Sequence, residues 1–112
     1  MIHGSGEQTR DYVFVDDVVD AMRKAATTPN LNRLIINVGS GVETSVNELV
    51  KRVMAITGKK PQIVQNKSHD SGPSRMCADL TLAKKLLEFS PKYNLEQGLR
   101  ETIARDARFQ KK

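Results

Sequence analysis

Arg10 is the residue of this 112-residue chain whose type and position most clearly offer chemistry. It lies in residues 8–21, QTRDYVFVDDVVDA, just ahead of the run VFV, which predicts a short strand. Asp16 or Asp17 is predicted to cap the amphipathic helix that follows. A guanidinium at the beginning of a strand is rigidly placed and can chelate two phosphate oxygens. The alternative is that Arg10 only pairs with Asp11 or with a helix C-terminus.

Motifs for a self-sufficient active site are missing from the sequence. The GSG stretches at residues 4–6 and 39–41 lack the third glycine of a dinucleotide fingerprint, so plain turns are the favoured interpretation. His3, His69 and Cys77 do not have zinc-ligand spacing, and neither histidine lies in a recognisable nucleophile context. The sequence therefore predicts no catalytic residue, no metal site and no cofactor held by this chain.

The order of elements that must position Arg10 predicts an α/β fold with three short strands and four helices. Apolar runs predict strands at residues 13–15, 34–38 and 61–65, the first two parallel through a right-handed crossover. The first helix, residues 17–27, is predicted to bury one apolar face, made of Val18, Val19, Met22, Ala25 and Ala26.

Capping residues mark the other three helices. Ser45 with Glu48 and Asn94 with Gln97 have capping-box spacing, and Thr81 is predicted to cap the short helix between them. Gly58 is expected to end the second helix in a left-handed conformation.

Composition limits the classes of protein that remain. The net charge of +5 favours anionic partners, but several of the positive residues crowd the last helix and tail, which is typical of a solvated helix face. With two tyrosines, three phenylalanines and no tryptophan, the aromatic residues that stack on bases are scarce, so nucleic-acid binding ranks last. There is no apolar run near 18 residues and no signal-peptide pattern, and the one cysteine excludes an internal disulfide, so no membrane partner and a cytoplasmic location are expected.

Three blocks in collinear order carry a family resemblance. QTRDYVFVDDVVDA, INVGSGVETSVNELV and MCADLTLAKKLLEFSPKYNLEQGLRETI together resemble the C-terminal part of an extended short-chain dehydrogenase/reductase. The closer resemblance is to the NAD-dependent epimerase/dehydratase family, whose members act on nucleotide sugars. It implies that residues 1–112 are a single C-terminal nucleotide-sugar-binding domain.

The resemblance also implies what this chain lacks. Family members have an N-terminal Rossmann domain that binds NAD(P) and a catalytic tyrosine four residues before a lysine. Neither Tyr12 nor Tyr93 has that lysine, because Asp16 and Gln97 stand at the required offset. The sequence is therefore interpreted as a fragment that is catalytically incomplete alone, and NAD(P) is expected only for the full-length enzyme.

Four residues are predicted to bind the nucleotide sugar, all through the resemblance. Arg10 corresponds to the arginine that contacts the diphosphate, and Gln8 is a weaker candidate for a polar contact. In the loop before MCAD, His69 replaces the usual arginine, and Arg75 is a possible substitute that reaches the same phosphate from a later position. Glu88 replaces a glycine that relatives often use after the short helix, at an expected cost in stability.

Three functions stay open at this stage. The first is the nucleotide-sugar-binding portion of an epimerase, dehydratase or decarboxylase. The second is a non-catalytic partner-binding or regulatory module derived from that family, including a homodimer formed through the exposed surface that would face the Rossmann domain. The third is nucleic-acid binding, which rests on charge alone.

Overall fold

The computed structural model describes residues 1–68 and 72–110. The helices are α1 (Val15–Thr27), α2 (Val46–Thr57), α3 (Thr81–Leu87) and α4 (Leu95–Arg105), with a 3-10 turn at Ala107–Phe109. The strands are β1 (Ile2–His3), β2 (Thr9–Arg10), β3 (Thr44–Ser45) and β4 (Gln65–Asn66). The predicted α/β class with four helices is confirmed, and the described residues hold four very short strands where the sequence predicted three.

The chain divides into two compact units. The first unit comprises Met1–Asp11 and Glu43–Cys77, and the second comprises Tyr12–Val42 and Ala78–Lys112. Each unit is therefore built from two separated stretches of sequence, and each is described below by itself.

The first unit holds all four strands, in two separate pairs. Strand β1 pairs in parallel with β4, with Ile2 opposite Gln65. Strand β2 pairs antiparallel with β3, with Thr9 opposite Ser45 and Arg10 opposite Thr44. Because β3 runs directly into α2, this pairing places Arg10 beside the beginning of that helix.

The predicted strand positions were wrong. Residues 13–15 form no strand, since Phe14 is the extended N-cap of α1 and Val15 already belongs to the helix. Residues 34–38 pair with no strand among the described residues, and Ile35 is 87% exposed, so the expected parallel crossover is absent there. A strand requires a hydrogen-bonded neighbour, and an apolar run does not reveal whether the fold supplies one. The third strand begins later than predicted, at Gln65.

The second unit is organised around a small apolar core. The cluster comprises Ala21, Leu80, Ala83, Leu87 and Phe89, with Leu31, Ile36, Val38 and Ala78 packed against it. Phe89 is 1% exposed, and it follows α3 through Glu88, whose φ of 53° is the left-handed conformation expected at that position. Since a side chain at such a φ is strained, the predicted cost of replacing glycine at residue 88 has a structural basis.

Helix α1 does not bury the face that its apolar residues predicted. Met22 is 66% exposed and Val19 is also exposed, whereas Asp17 and Ala21 are each only 2% exposed. The reason lies in Asp17, whose carboxylate accepts hydrogen bonds from the main-chain N–H groups of Lys92 at 3.0 Å and Tyr93 at 3.2 Å. Those two bonds turn the Asp17–Ala21 side of the helix inward.

Three of the predicted helix caps, two at N-termini and one at a C-terminus, are confirmed, and two are wrong. Ser45 caps α2 by accepting from the Glu48 N–H at 3.1 Å, Gly58 ends that helix at φ 69°, and Asn94 with Gln97 forms the full capping box of α4. Neither Asp16 nor Asp17 caps α1, because Phe14 holds the cap position without a side-chain bond. Leu80, not Thr81, is the N-cap of α3.

Candidate functional site

Arg10 lies in the first unit, at the end of β2, with its side chain over the loop at residues 72–76. Its Nη1 donates to the carbonyl oxygens of Thr9 at 2.7 Å and Pro73 at 2.8 Å. A Cβ at Gly72 would lie 3.8 Å from Arg10 Nη2, so the guanidinium is close to the loop backbone. Arg10 therefore ends a two-residue strand, whereas the sequence predicted that it lies at the beginning of one.

The same loop runs alongside Thr9 through main-chain hydrogen bonds. The Thr9 N–H donates to Ser74 O at 2.9 Å, and the Met76 N–H donates to Thr9 O at 3.2 Å. Thr9 thus bonds to both chain neighbours of Arg75. This is the hydrogen-bond pattern of a parallel bridge, in which Thr9 lies opposite Arg75. The side chains of two opposite residues point to the same side of such a bridge, as those of Thr9 and Arg75 do here. The side chain of the next residue, Arg10, points to the other side.

The carboxylate of Glu43 accepts hydrogen bonds from the side chains of both Thr9 and Arg75. Arg75 donates through Nε at 2.9 Å and through Nη2 at 2.6 Å, one bond to each carboxylate oxygen, and Thr9 Oγ1 donates to Oε1 at 2.8 Å. The Arg75 bonds first, and the Thr9 bond second, lower the pKa of Glu43 to about 2. Glu43 in turn raises the pKa of Arg75. Glu43, just before β3, is thus an ionised carboxylate that binds Thr9 of β2 and Arg75 of the loop.

Sequence reasoning missed Glu43, and no local signal identifies it. It is separated by 34 residues from Thr9 and by 32 from Arg75, so no helical or strand spacing connects the three. The pairing of β2 with β3 brings Glu43 to Thr9, and the main-chain bonds of Thr9 to Ser74 and Met76 bring Arg75 to both.

The predicted contact Gln8 is buried in the first unit, with 9% of its surface exposed. Its Nε2 donates to His3 O at 2.9 Å, and its main-chain oxygen accepts from the Val46 N–H. The Oε1 atom is buried without a hydrogen-bond partner among the described residues. Gln8 thus links β1 to the end of the loop before β2, and a ligand contact at Gln8 stays a prediction.

The predicted contact His69 lies outside the described residues, as do Asp70 and Ser71. The described part of the loop resumes at Gly72. The arrangement brings together Arg10, Arg75 and Gln8 of the predicted set within one unit.

Cys77 and Asp11 lie on the same side of the bridge as Arg75 and Thr9. Cys77 Sγ is 3.9 Å from an Asp11 carboxylate oxygen. Burial first, and then the negative charge of Asp11, raise the pKa of the Cys77 thiol. A raised pKa disfavours the thiolate, which is the nucleophilic form, so this cysteine has no catalytic activation.

Tyr12 belongs to the second unit, where it lines a groove between the start of α1 and helix α4. The groove has a volume of about 360 Å³ and is mainly apolar, with Phe14, Leu95, Leu99 and Thr102 among its walls. Phe14 packs against Tyr93 with ring centroids 4.6 Å apart. Tyr12 itself is half-buried in this groove.

The two glycine stretches do not fit a dinucleotide. A Cβ at Gly6 would lie 2.1 Å from Asn47 Oδ1, and a Cβ at Gly41 would lie 3.0 Å from Leu80 Cδ1. Both glycines therefore leave room for a protein side chain and not for a pyrophosphate, which supports their interpretation as plain turns.

Two further classes of site were searched in residues 1–68 and 72–110. There, no group of three or more His, Cys, Asp and Glu side chains is placed to hold a metal ion. No helix in the same residues is both long and apolar enough to cross a membrane.

The arginines of α4 and the 3-10 turn are engaged with acidic residues of the second unit. Arg100 bonds to Glu96, Arg105 to both Asp16 and Glu101, and Arg108 to Asp106. This pairing agrees with the interpretation of the C-terminal charge cluster as a solvated helix face.

Comparisons with known proteins match nearly the whole chain. The family model for GDP-mannose 4,6 dehydratase matches residues 1–102. A UDP-glucose 4-epimerase of Mycolicibacterium smegmatis is 39% identical over 104 residues, which are 91% of this chain and 32% of that protein.

Solved structures give the same result. A UDP-glucuronic acid 4-epimerase from Bacillus cereus, in complex with UDP-glucuronic acid and NAD, matches with a TM-score of 0.82 at 32% identity, over 88% of this chain and 32% of its own. A UDP-glucose 4-epimerase from Thermotoga maritima with UDP-glucose has a TM-score of 0.80 at 38% identity, over 88% of this chain and 32% of its own.

The chain spans about a third of the length of the relatives it matches. Within that third, the agreement in sequence and in fold confirms the resemblance drawn from the three sequence blocks. The chain belongs to the GDP-mannose 4,6 dehydratase family, among the NAD-dependent nucleotide-sugar epimerases and dehydratases.

Proposed function

We propose that this chain is the nucleotide-sugar-binding portion of an NAD-dependent epimerase, dehydratase or decarboxylase, with residues 1–112 acting as one C-terminal substrate-binding domain. The observation that carries the proposal is the placement of Arg10, whose guanidinium is fixed on β2 beside a loop held at several points. The relatives with bound UDP-glucuronic acid and UDP-glucose support the substrate class.

Arg10 acts as the ligand of the diphosphate. In the structure its Nη1 donates to two neutral carbonyl oxygens, Thr9 O and Pro73 O. A diphosphate oxygen carries charge and is the stronger acceptor, so an incoming nucleotide sugar can replace such a carbonyl partner with a net gain. Gln8, Arg75 and His69 remain the further contacts that the sequence predicts.

Catalysis requires residues that the chain does not contain. No tyrosine precedes a lysine by four positions, and the glycine stretches leave no room for a dinucleotide. The chain is therefore proposed to be inactive alone, and NAD is proposed to bind to the part of the enzyme that corresponds to the other two thirds of the relatives. A sequence with one cysteine, which can form no internal disulfide, suits a reducing cytoplasmic location.

Titration calorimetry with UDP-glucose, UDP-glucuronic acid and GDP-mannose tests the proposal directly. Wild-type protein is expected to bind at least one of them, and Arg10→Gln is expected to weaken that binding roughly 10- to 100-fold, since a hydrogen bond to a charged group contributes about 1.5–3 kcal/mol. Arg100→Gln is the matched control, because Arg100 bonds only on α4 to Glu96 in the contacts described. Absence of binding to all three ligands would contradict the proposal.

A partner-binding role is the second candidate, and exposed apolar residues favour it. In the second unit Val19, Met22, Leu34 and Ile35 are all more than half exposed, and Met22 and Leu34 also line a groove of about 370 Å³. A second copy of this chain is the proposed occupant, giving a homodimer. Sedimentation equilibrium of the wild type and of Ile35→Lys tests this role. A wild-type dimer that the substitution converts to a monomer supports it. A wild type that is still monomeric at about 100 µM, where a weak dimer would form, rejects it.

A further inference from the structure

Glu43 offers a role that the proposed diphosphate site does not yet use. We propose that Glu43, acting through Arg75, is a positioning residue that keeps the loop at residues 72–76 in place when Arg10 turns to a diphosphate. The inference rests on the proposed function of Arg10 and deepens it. It assigns Arg75 to the support of the site and not to direct contact with the phosphate.

Three sets of hydrogen bonds hold the loop at residues 72–76. On one side of the bridge, Arg10 donates to Pro73 O at 2.8 Å. In the middle, the main chain of Thr9 bonds to Ser74 and Met76. On the other side, Arg75 donates both of its bonds to Glu43. Side-chain contacts therefore hold the loop from both sides of its main-chain pairing.

Binding of a diphosphate would change the hydrogen bonds of Arg10 to the loop. When Arg10 donates to a phosphate oxygen in place of Pro73 O, the loop loses that one hydrogen bond. The contact on the opposite side is independent of Arg10, because Glu43 binds Arg75 and Thr9 and not Arg10 in the bonds described. The loop then keeps its position, and ligand affinity is not reduced by the cost of ordering it.

The side chain of Arg75 is 77% exposed, yet its guanidinium forms two parallel bonds to one carboxylate, the geometry that orients an arginine most firmly. To contact a phosphate beside Arg10, Arg75 would have to leave Glu43 and cross to the other side of the bridge. Thr9 reinforces the existing arrangement by donating to the same carboxylate at 2.8 Å.

A double-mutant cycle on UDP-glucose and UDP-glucuronic acid binding tests the inference, with Glu43→Gln, Arg75→Gln and the double variant. Each single variant is expected to weaken binding about threefold to fivefold, a modest change that suits an exposed pair. The double variant is expected to match the single variants, because both substitutions remove one shared contact. Glu48→Gln is the matched control, since Glu48 pairs with Arg52 on α2 of the same unit at 3.0 Å.

Salt dependence separates a positioning role from a direct phosphate contact. Arg10→Gln is expected to flatten the decrease of affinity with added salt, since it removes a phosphate contact, whereas Glu43→Gln and Arg75→Gln are expected to leave that slope unchanged. Hydrogen exchange without ligand gives a second readout, in which Glu43→Gln accelerates exchange of the Thr9 and Met76 amides.

Several outcomes would overturn the inference. Affinity of Glu43→Gln equal to or above wild type rejects it, as does a double variant whose loss is the product of the single losses. Loss of binding in Arg10→Gln with wild-type affinity in Glu43→Gln rejects this inference and leaves the proposed function standing. Failure of wild-type protein to bind either ligand rejects both.

Discussion

The two units of this chain are stabilised by different kinds of contact. The second unit buries an apolar cluster around Phe89 and Ala83, with Asp17 as its main buried polar group. Among the described residues of the first unit, the buried ones are Ile2, Gly6, Gln8 and Thr44, and only Ile2 has a large apolar side chain. The arrangement of this unit depends instead on short strand pairs and on the bonds of Arg10, Glu43 and Arg75.

The contrast separates stability from binding. Apolar burial does not depend on the ionisation of side chains, whereas exposed ion pairs depend on it and are screened by salt. We therefore expect substitutions in the second unit to change the free energy of unfolding and substitutions around Arg10 to change ligand affinity. The predictions below test this division, beginning with the largest expected effect.

Asp17→Ala should destabilise the second unit by about 2–4 kcal/mol, because two part-buried main-chain N–H groups lose their charged acceptor. Denaturation in urea measures the change. Asp16→Ala is the matched control, since Asp16 forms an exposed pair with Arg105 and should cost less than about 1 kcal/mol. Equal losses in the two variants would show that the buried bonds of Asp17 carry no special weight.

Glu88→Gly should stabilise the second unit by about 0.5–1 kcal/mol, because glycine adopts the left-handed φ of 53° without strain. The bond from Lys24 Nζ at 3.2 Å is to the main-chain oxygen of residue 88 and survives the substitution. Thermal unfolding should show a higher midpoint. Glu101→Gly, within α4, should instead lose about 1 kcal/mol, and a lower midpoint for Glu88→Gly would contradict the explanation.

The first unit should lose stability in acid through Glu43. Its folded-state pKa of about 2 lies below the ordinary value of 4.5, so its contribution is complete above pH 4.5 and is lost as the pH falls towards 2. An NMR titration of the Glu43 carboxyl should show the low pKa, and Arg75→Gln should move it back towards 4.5. Arg108→Gln should leave Glu43 unchanged and raise the pKa of Asp106, which Arg108 lowers to about 2.

Local features of the sequence predicted the helices better than the strands. The caps at Ser45, Gly58 and Asn94 were correct because each depends on residues three or four positions apart. The strands at residues 13–15 and 34–38 were wrong because a strand depends on a distant partner, and no such partner is present in the described part of the chain. Asp17 was a predicted candidate for the N-cap of its own helix, α1. Its carboxylate instead accepts hydrogen bonds from the main-chain N–H groups of Lys92 and Tyr93.

The sequence alone indicated the family and the α/β class, because these follow from the motif blocks and the order of elements, and from the chemistry of one guanidinium it predicts a diphosphate contact at Arg10. Only the tertiary structure decided which acceptors Arg10 has, that Arg75 bonds to Glu43, and which face of α1 is buried. Those contacts join residues that are 32 to 76 positions apart. Local sequence specifies which helix can form, but a hydrogen bond between distant residues exists only where the folded backbone brings donor and acceptor within reach.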